Sequence, residues 1–78
     1  MKRTLGQRLG KCIRRLRLEK GMSQVEFGEK TGFYQTYISR LERGQANPTL
    51  NAIEVLATSL GLNVFELFDQ LRADTESY

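Results

Sequence analysis

The sequence predicts an all-α fold in which five short helices close into one bundle. Apolar residues recur at helical spacing from Leu5 to Leu71, start and stop signals divide that pattern into five pieces, and no stretch carries a strand signal. With 78 residues there is material for a single core, because a domain this small leaves roughly 40% of its unfolded surface exposed after folding.

The first helix, over about residues 5–20, is read from the stripe Leu5, Leu9, Cys12, Ile13 and Leu16, with Gly21 as a left-handed cap. Its basic residues fall mostly off the stripe and are expected in solvent, and Leu18 lies off it with no assignable contact. In "SQVEFGEKTG", Ser23 and Glu26 form a capping box, so a short second helix starts at Gln24 and runs to about Lys30. Gly28 in its interior costs about 1 kcal/mol relative to Ala, which predicts close approach by another backbone. Thr31, Gly32 and Phe33 make a tight turn, with Gly32 free to take the positive φ that closes it. The third helix covers about residues 35–43 and stops at Gly44, before the loop "QANP".

Pro48 then blocks backward propagation and Thr49 caps a fourth helix, whose stripe is Leu50, Ile53, Leu56, Ala57 and Leu60, ended by Gly61. Asn63 and Glu66 form a second capping box and open a fifth helix with Val64, Leu67, Phe68 and Leu71 on one face. The polar tail "ADTESY" is expected to fray.

Composition narrows the chemistry. The chain is 40% hydrophobic and 27% charged, with no apolar run long enough to span a bilayer. One cysteine and no histidine leave neither an internal disulfide nor a Cys/His zinc site. A reducing, cytoplasmic setting follows, with Cys12 read as a small buried apolar residue. No nucleophile with a base, no phosphate loop, no cofactor motif and no small-molecule site is evident, which argues against an enzyme. Charge is strongly polarised: residues 1–20 hold eight Lys/Arg against Glu19, residues 21–44 balance, and residues 45–78 hold Arg72 against five acidic residues. Such a chain presents one face to a polyanion and turns the other away.

The second and third helices, joined by the glycine turn, suggest a helix-turn-helix. Counted from Gln24, Phe27 is a core residue in fourth place, Gly28 is small in fifth and Gly32 turns in ninth, while Ile38 and Leu41 lock the third helix onto the second. An ordinary αα turn in a five-helix bundle is the competing reading. On a helical wheel Ile38, Leu41 and Glu42 point one way and Thr36, Ser39, Arg40 and Arg43 the other. The outward set suits a major groove about 12 Å wide, where Gln pairs with adenine and Arg with guanine.

The run "LRLEKGMSQVEFGEKTGFYQTYISRLERGQANPTLNAIEVLATSLGL", above all "KGMSQ", "YISRLERG" and "NPTL", resembles the Cro/cI-type helix-turn-helix family, also called XRE. Within it, the short length and "TYIS…ERG" look most like restriction–modification controller proteins. The resemblance implies a lambda-repressor-like DNA-binding domain over residues 1–78, with the helix-turn-helix at about 24–43 and a dimerisation region at about 50–72. It implies base reading by Tyr34, Gln35, Thr36, Ser39 and Arg40, and backbone contacts by Gln24, Arg43, Gln45 and Asn47. Tyr37 joins the backbone set, its hydroxyl donating to a phosphate, or else is a rim residue half packed on the fold. Tyr34 departs from the family's usual Ser or Thr cap. Arg17 and Glu42 match the family's ion pair between the first and third helices.

The partners implied are double-stranded DNA and a second copy of the chain, since one recognition helix reads too few base pairs to find a site in a genome. Val55 and Phe65 lie off the apolar stripes of their helices and are the expected dimer contacts, the competing reading being two scattered surface apolar residues. The family setting is a bacterial or phage-encoded cytoplasmic regulator or repressor. An antitoxin that binds a toxin and autoregulates is the alternative function. A basic amphipathic membrane helix over residues 1–18 is opposed by the continuity of its stripe with the core.

Overall fold

In the computed structural model, which describes residues 3–76, the five helices are α1 (Leu5–Glu19), α2 (Gln24–Thr31), α3 (Gln35–Glu42), α4 (Leu50–Ser59) and α5 (Val64–Glu76). No strand occurs among the described residues. Each expected start signal is used. The Ser23 hydroxyl accepts from Glu26 N–H at 3.0 Å while the Glu26 carboxylate accepts from Ser23 N–H at 2.9 Å, and Asn63 and Glu66 repeat the exchange at 2.8 and 2.9 Å. Thr49 accepts from Ala52 N–H at 3.0 Å. A further box at Thr4 and Gln7 starts α1; "TLGQ" carries its signature. Gly21, Gly32, Gly44 and Gly61 take positive φ where helices end.

Packing follows the stripes with three exceptions. Leu9, Cys12, Ile13 and Leu16 of α1 meet Phe27, Ile38, Leu41, Ile53, Leu56, Ala57, Leu60, Leu67 and Leu71 in one core. Leu5 and Leu50 leave that core, Leu50 being 79% exposed. Both are the first residue of their helix, and a Cβ tilted toward the N-terminus carries them past the end of the packed region. Phe68, next to the buried Leu67, is turned to the surface and borders a shallow groove with Leu5 and Arg8.

Two glycines set helix spacing. A Cβ on Gly28 would lie 2.8 Å from Phe33 O, and one on Gly10 would lie 2.3 Å from Leu41 O. Gly28 therefore does what its helix-interior position predicted, and Gly10 does the same for α1 against the C-terminal end of α3.

The expected fraying of residues 73–76 is wrong: α5 continues through Glu76, and Ser77 and Tyr78 lie outside the described residues. Arg15 holds this end, donating from Nε to Asp74 at 3.0 Å and from Nη2 to the Gln70 side chain at 2.8 Å. It also pairs with Glu19 at 2.7 Å. Hydrogen bonding to Asp74 raises the Arg15 pKa further above its ordinary value. Arg15 is thus no freely solvated cation, although the stripe rule placed it in water. Leu18 is half exposed beside Lys11, Arg14 and Glu19.

Candidate nucleic-acid interface

Helix α3 is positioned from behind by charge as well as by apolar contact. Ile38 and Leu41 are fully buried, and beside them Arg17 and Glu42 form a buried pair. Arg17 Nε donates to Glu42 Oε2 at 2.7 Å and Nη2 to Oε1 at 2.9 Å, while Nη1 donates to Met22 O at 2.8 Å. This bidentate geometry satisfies the guanidinium on three sides and raises its pKa, chiefly through the hydrogen bond to Glu42. One rigid brace therefore joins α1, the α1–α2 turn and α3.

The brace extends to the outer surface through two amides. Gln24 Nε2 donates to Glu42 Oε1 at 3.1 Å, and Gln35 Nε2 donates to Gln24 Oε1 at 2.9 Å. Gln24 thus stands between the buried pair and the first residue of α3. Its oxygen takes one N–H of Gln35, which orients that amide and leaves its second N–H and its oxygen for the bidentate pattern that adenine offers.

On the outward side of α3, Thr36 and Arg40 are exposed and Ser39 is half buried. Arg43 Nη1 donates to the Ser39 hydroxyl and Nε to Gln45 Oε1 at 3.2 Å. Arg40 Nη2 donates to Gln45 O at 3.3 Å, and Gln45 N–H returns to Arg40 O at 2.9 Å. The loop after α3 is thereby folded against the end of the helix, with two guanidinium groups at its surface. Asn47 is exposed further along the same loop.

The aromatic residues divide. Phe33 packs against the core, and Tyr37 meets it edge-on, ring centroids 5.1 Å apart at 66°. Tyr37 is half buried, so its ring is anchored at the rim of α3. Tyr34 occupies the N-cap of α3 with φ −66° and ψ 146°, makes no side-chain cap bond and is 86% exposed. On the far helices Val55 is 37% and Phe65 79% exposed.

Comparison with known proteins places this geometry. Residues 13–67 match the family described as Helix-turn-helix, and the HTH-type transcriptional regulator y4dJ of Sinorhizobium fredii (strain NBRC 101917 / NGR234) is 46% identical over 59 residues, 76% of this chain and 77% of that protein. The chain belongs to the helix-turn-helix family of transcriptional regulators. Among other relatives in this family, Control protein C.BamHI of Bacillus amyloliquefaciens is 38% identical over 61 residues, 77% of this chain and 75% of its own length. Two longer relatives, each 36% identical, are spanned over only 40% and 57% of their length. The restriction–modification controller protein C.Esp1396I, solved as a tetramer in complex with its natural 35 base-pair operator, superposes with a TM-score of 0.87 at 30% identity, covering 95% of this chain and 97% of that one.

In this helix-turn-helix chain the structure brings Gln24, Gln35, Ser39, Arg40, Arg43 and Gln45 into connected hydrogen-bond groups on α2, α3 and the following loop. Thr36 on α3 and Tyr34 at its N-cap stand free of those groups, and Val55 and Phe65 lie on other elements. Two features escaped the sequence reading. The Gln24–Gln35 bridge needs the angle between α2 and α3, which spacing along one chain does not supply. Gly10, by contrast, showed the same helix-interior glycine signal that was used for Gly28.

Proposed function

We propose that this chain is a sequence-specific regulator of transcription that binds double-stranded DNA as a homodimer on a two-fold operator, in the manner of restriction–modification controller proteins. The observation that carries this reading is the outward face of α3, with Gln35, Thr36, Ser39 and Arg40 presented by a helix that the buried Arg17–Glu42 pair holds fast. Its likeness along nearly its whole length to a controller solved on an operator supports the same reading.

The helix-turn-helix spans about residues 24–43, and residues 50–72 carry the dimer contact through Val55 and Phe65. Tyr34, Gln35, Thr36, Ser39 and Arg40 read bases. Gln24, Tyr37, Arg43, Gln45 and Asn47 hold the phosphate backbone, and the N-terminal end of α2 adds its positive dipole end there. The role is non-enzymatic and cytoplasmic; no single helix among the described residues is long and apolar enough to cross a membrane.

Selection of bound duplexes from a random pool, followed by affinity measurements at several salt concentrations, tests the assignment. Arg40→Ala is expected to relax preference at one base pair per half-site and to cost about 1–3 kcal/mol, whereas Arg43→Ala weakens all sequences alike and lowers the salt slope by about one. An Arg40→Ala protein that selects the parent site with unchanged preference overturns the base-reading role.

A further inference from the structure

Two apolar side chains stand in solvent at the leading end of α3 without a part in the core. Tyr34 is 86% exposed and Val25, in the first turn of α2, is 55% exposed. Together with Gly28, Glu29, Phe33 and Gln35 they line an open notch of about 370 Å³. Tyr34 occupies a cap position without making a cap bond, so its side chain satisfies none of the first N–H groups of α3, whereas Ser or Thr there would.

The lining indicates the occupant. No basic residue borders the notch and Glu29 does, so the notch itself offers a phosphate no partner. Gln35 borders it as well, with one amide N–H already given to Gln24 at 2.9 Å, and its remaining edge matches adenine. The partner of adenine is thymine, whose C5 methyl is the apolar group on the major-groove edge of that pair. We infer that Val25 and Tyr34 form a seat for a thymine C5 methyl, which makes them specificity-determining residues at one A·T pair in each half-site. This rests on the DNA-binding reading above.

The test uses the full chain and a site obtained by selection. Each thymine is replaced by deoxyuridine in turn, which removes the methyl and keeps every hydrogen-bonding group. One position per half-site is expected to weaken the wild-type protein by about fourfold, or roughly fifteenfold when both half-sites are changed, as for the loss of one buried methyl each. In the Val25→Ala/Tyr34→Ser double variant the ratio between parent and deoxyuridine sites falls to about one. That variant retains a good helix former on α2 and gains a capping residue on α3, and far-UV circular dichroism checks its fold. A chain that selects no DNA sequence overturns the regulator reading and the methyl seat with it. A chain that selects a site but binds every deoxyuridine version equally well overturns the methyl seat alone, as does a penalty that persists undiminished in the double variant.

Discussion

Arg17 occupies a position on the buried stripe of α1, one turn beyond Ile13, where an uncompensated cation would be intolerable. It is accommodated because Glu42 and Met22 O accept from all three of its donor nitrogens, and because Gln24 supplies a further bond to the carboxylate. Removing one partner leaves the other charge buried, which costs about 3–5 kcal/mol, whereas replacing both by apolar groups is often close to neutral. Urea denaturation of Arg17→Met is therefore expected to show a loss of that size, and the Arg17→Met/Glu42→Leu protein to regain most of it. A double variant as unstable as the two single losses combined would show that the pair stabilises the fold beyond mutual neutralisation. The pair was legible only through the resemblance, since a stripe rule reads Arg17 as a misplaced charge. Arg15 was misread for the matching reason: its partners Gln70 and Asp74 lie on α5, 55 and 59 residues away, and nothing local points to them.

At the scale of the helices, caps and stops were the most legible features because each is a local hydrogen-bond or dihedral requirement. Ser23, Thr49 and Asn63 start the helices where the chain chemistry placed them, and Gly32 closes the α2–α3 turn at φ 81°. Stripes were less reliable at helix ends, where Leu5 and Leu50 have the right spacing but no neighbouring element to cover them. Gly10 shows how interhelical distance is encoded. Its replacement by Ala gains about 1 kcal/mol of helix propensity, but the new Cβ falls 2.3 Å from Leu41 O and 3.0 Å from Glu42 O. Both are backbone atoms that cannot swing aside, and overpacking of this kind costs about 1–3 kcal/mol. Gly10→Ala is accordingly expected to lower the urea midpoint, with α1 pushed away from the end of α3 and the Arg17–Glu42 geometry loosened. A variant as stable as the parent would show that α1 and α3 can separate without loss.

At the scale of the whole molecule, charge changes sign along the chain, and the exposed apolar residues of its acidic part are the proposed contact with a second copy. The first twenty residues are strongly basic, while the segment after Gly44 is acidic and carries Val55 and Phe65. Phe65 is 79% exposed, and burying such a side chain contributes about 1.5–3 kcal/mol. In the proposed two-fold interface the contribution enters twice. Phe65→Glu removes both contributions and sets two carboxylates near each other in a region that already holds Glu66 and Asp69. The variant is expected to be monomeric by light scattering, with unchanged helical circular dichroism because Phe65 lies outside the core. It is also expected to bind an operator far more weakly, since each half-site must then be captured separately rather than by one linked unit. A Phe65→Glu protein that remains dimeric places the contact elsewhere. A monomer that binds the full operator with parental affinity would show that pairing on DNA does not depend on this surface.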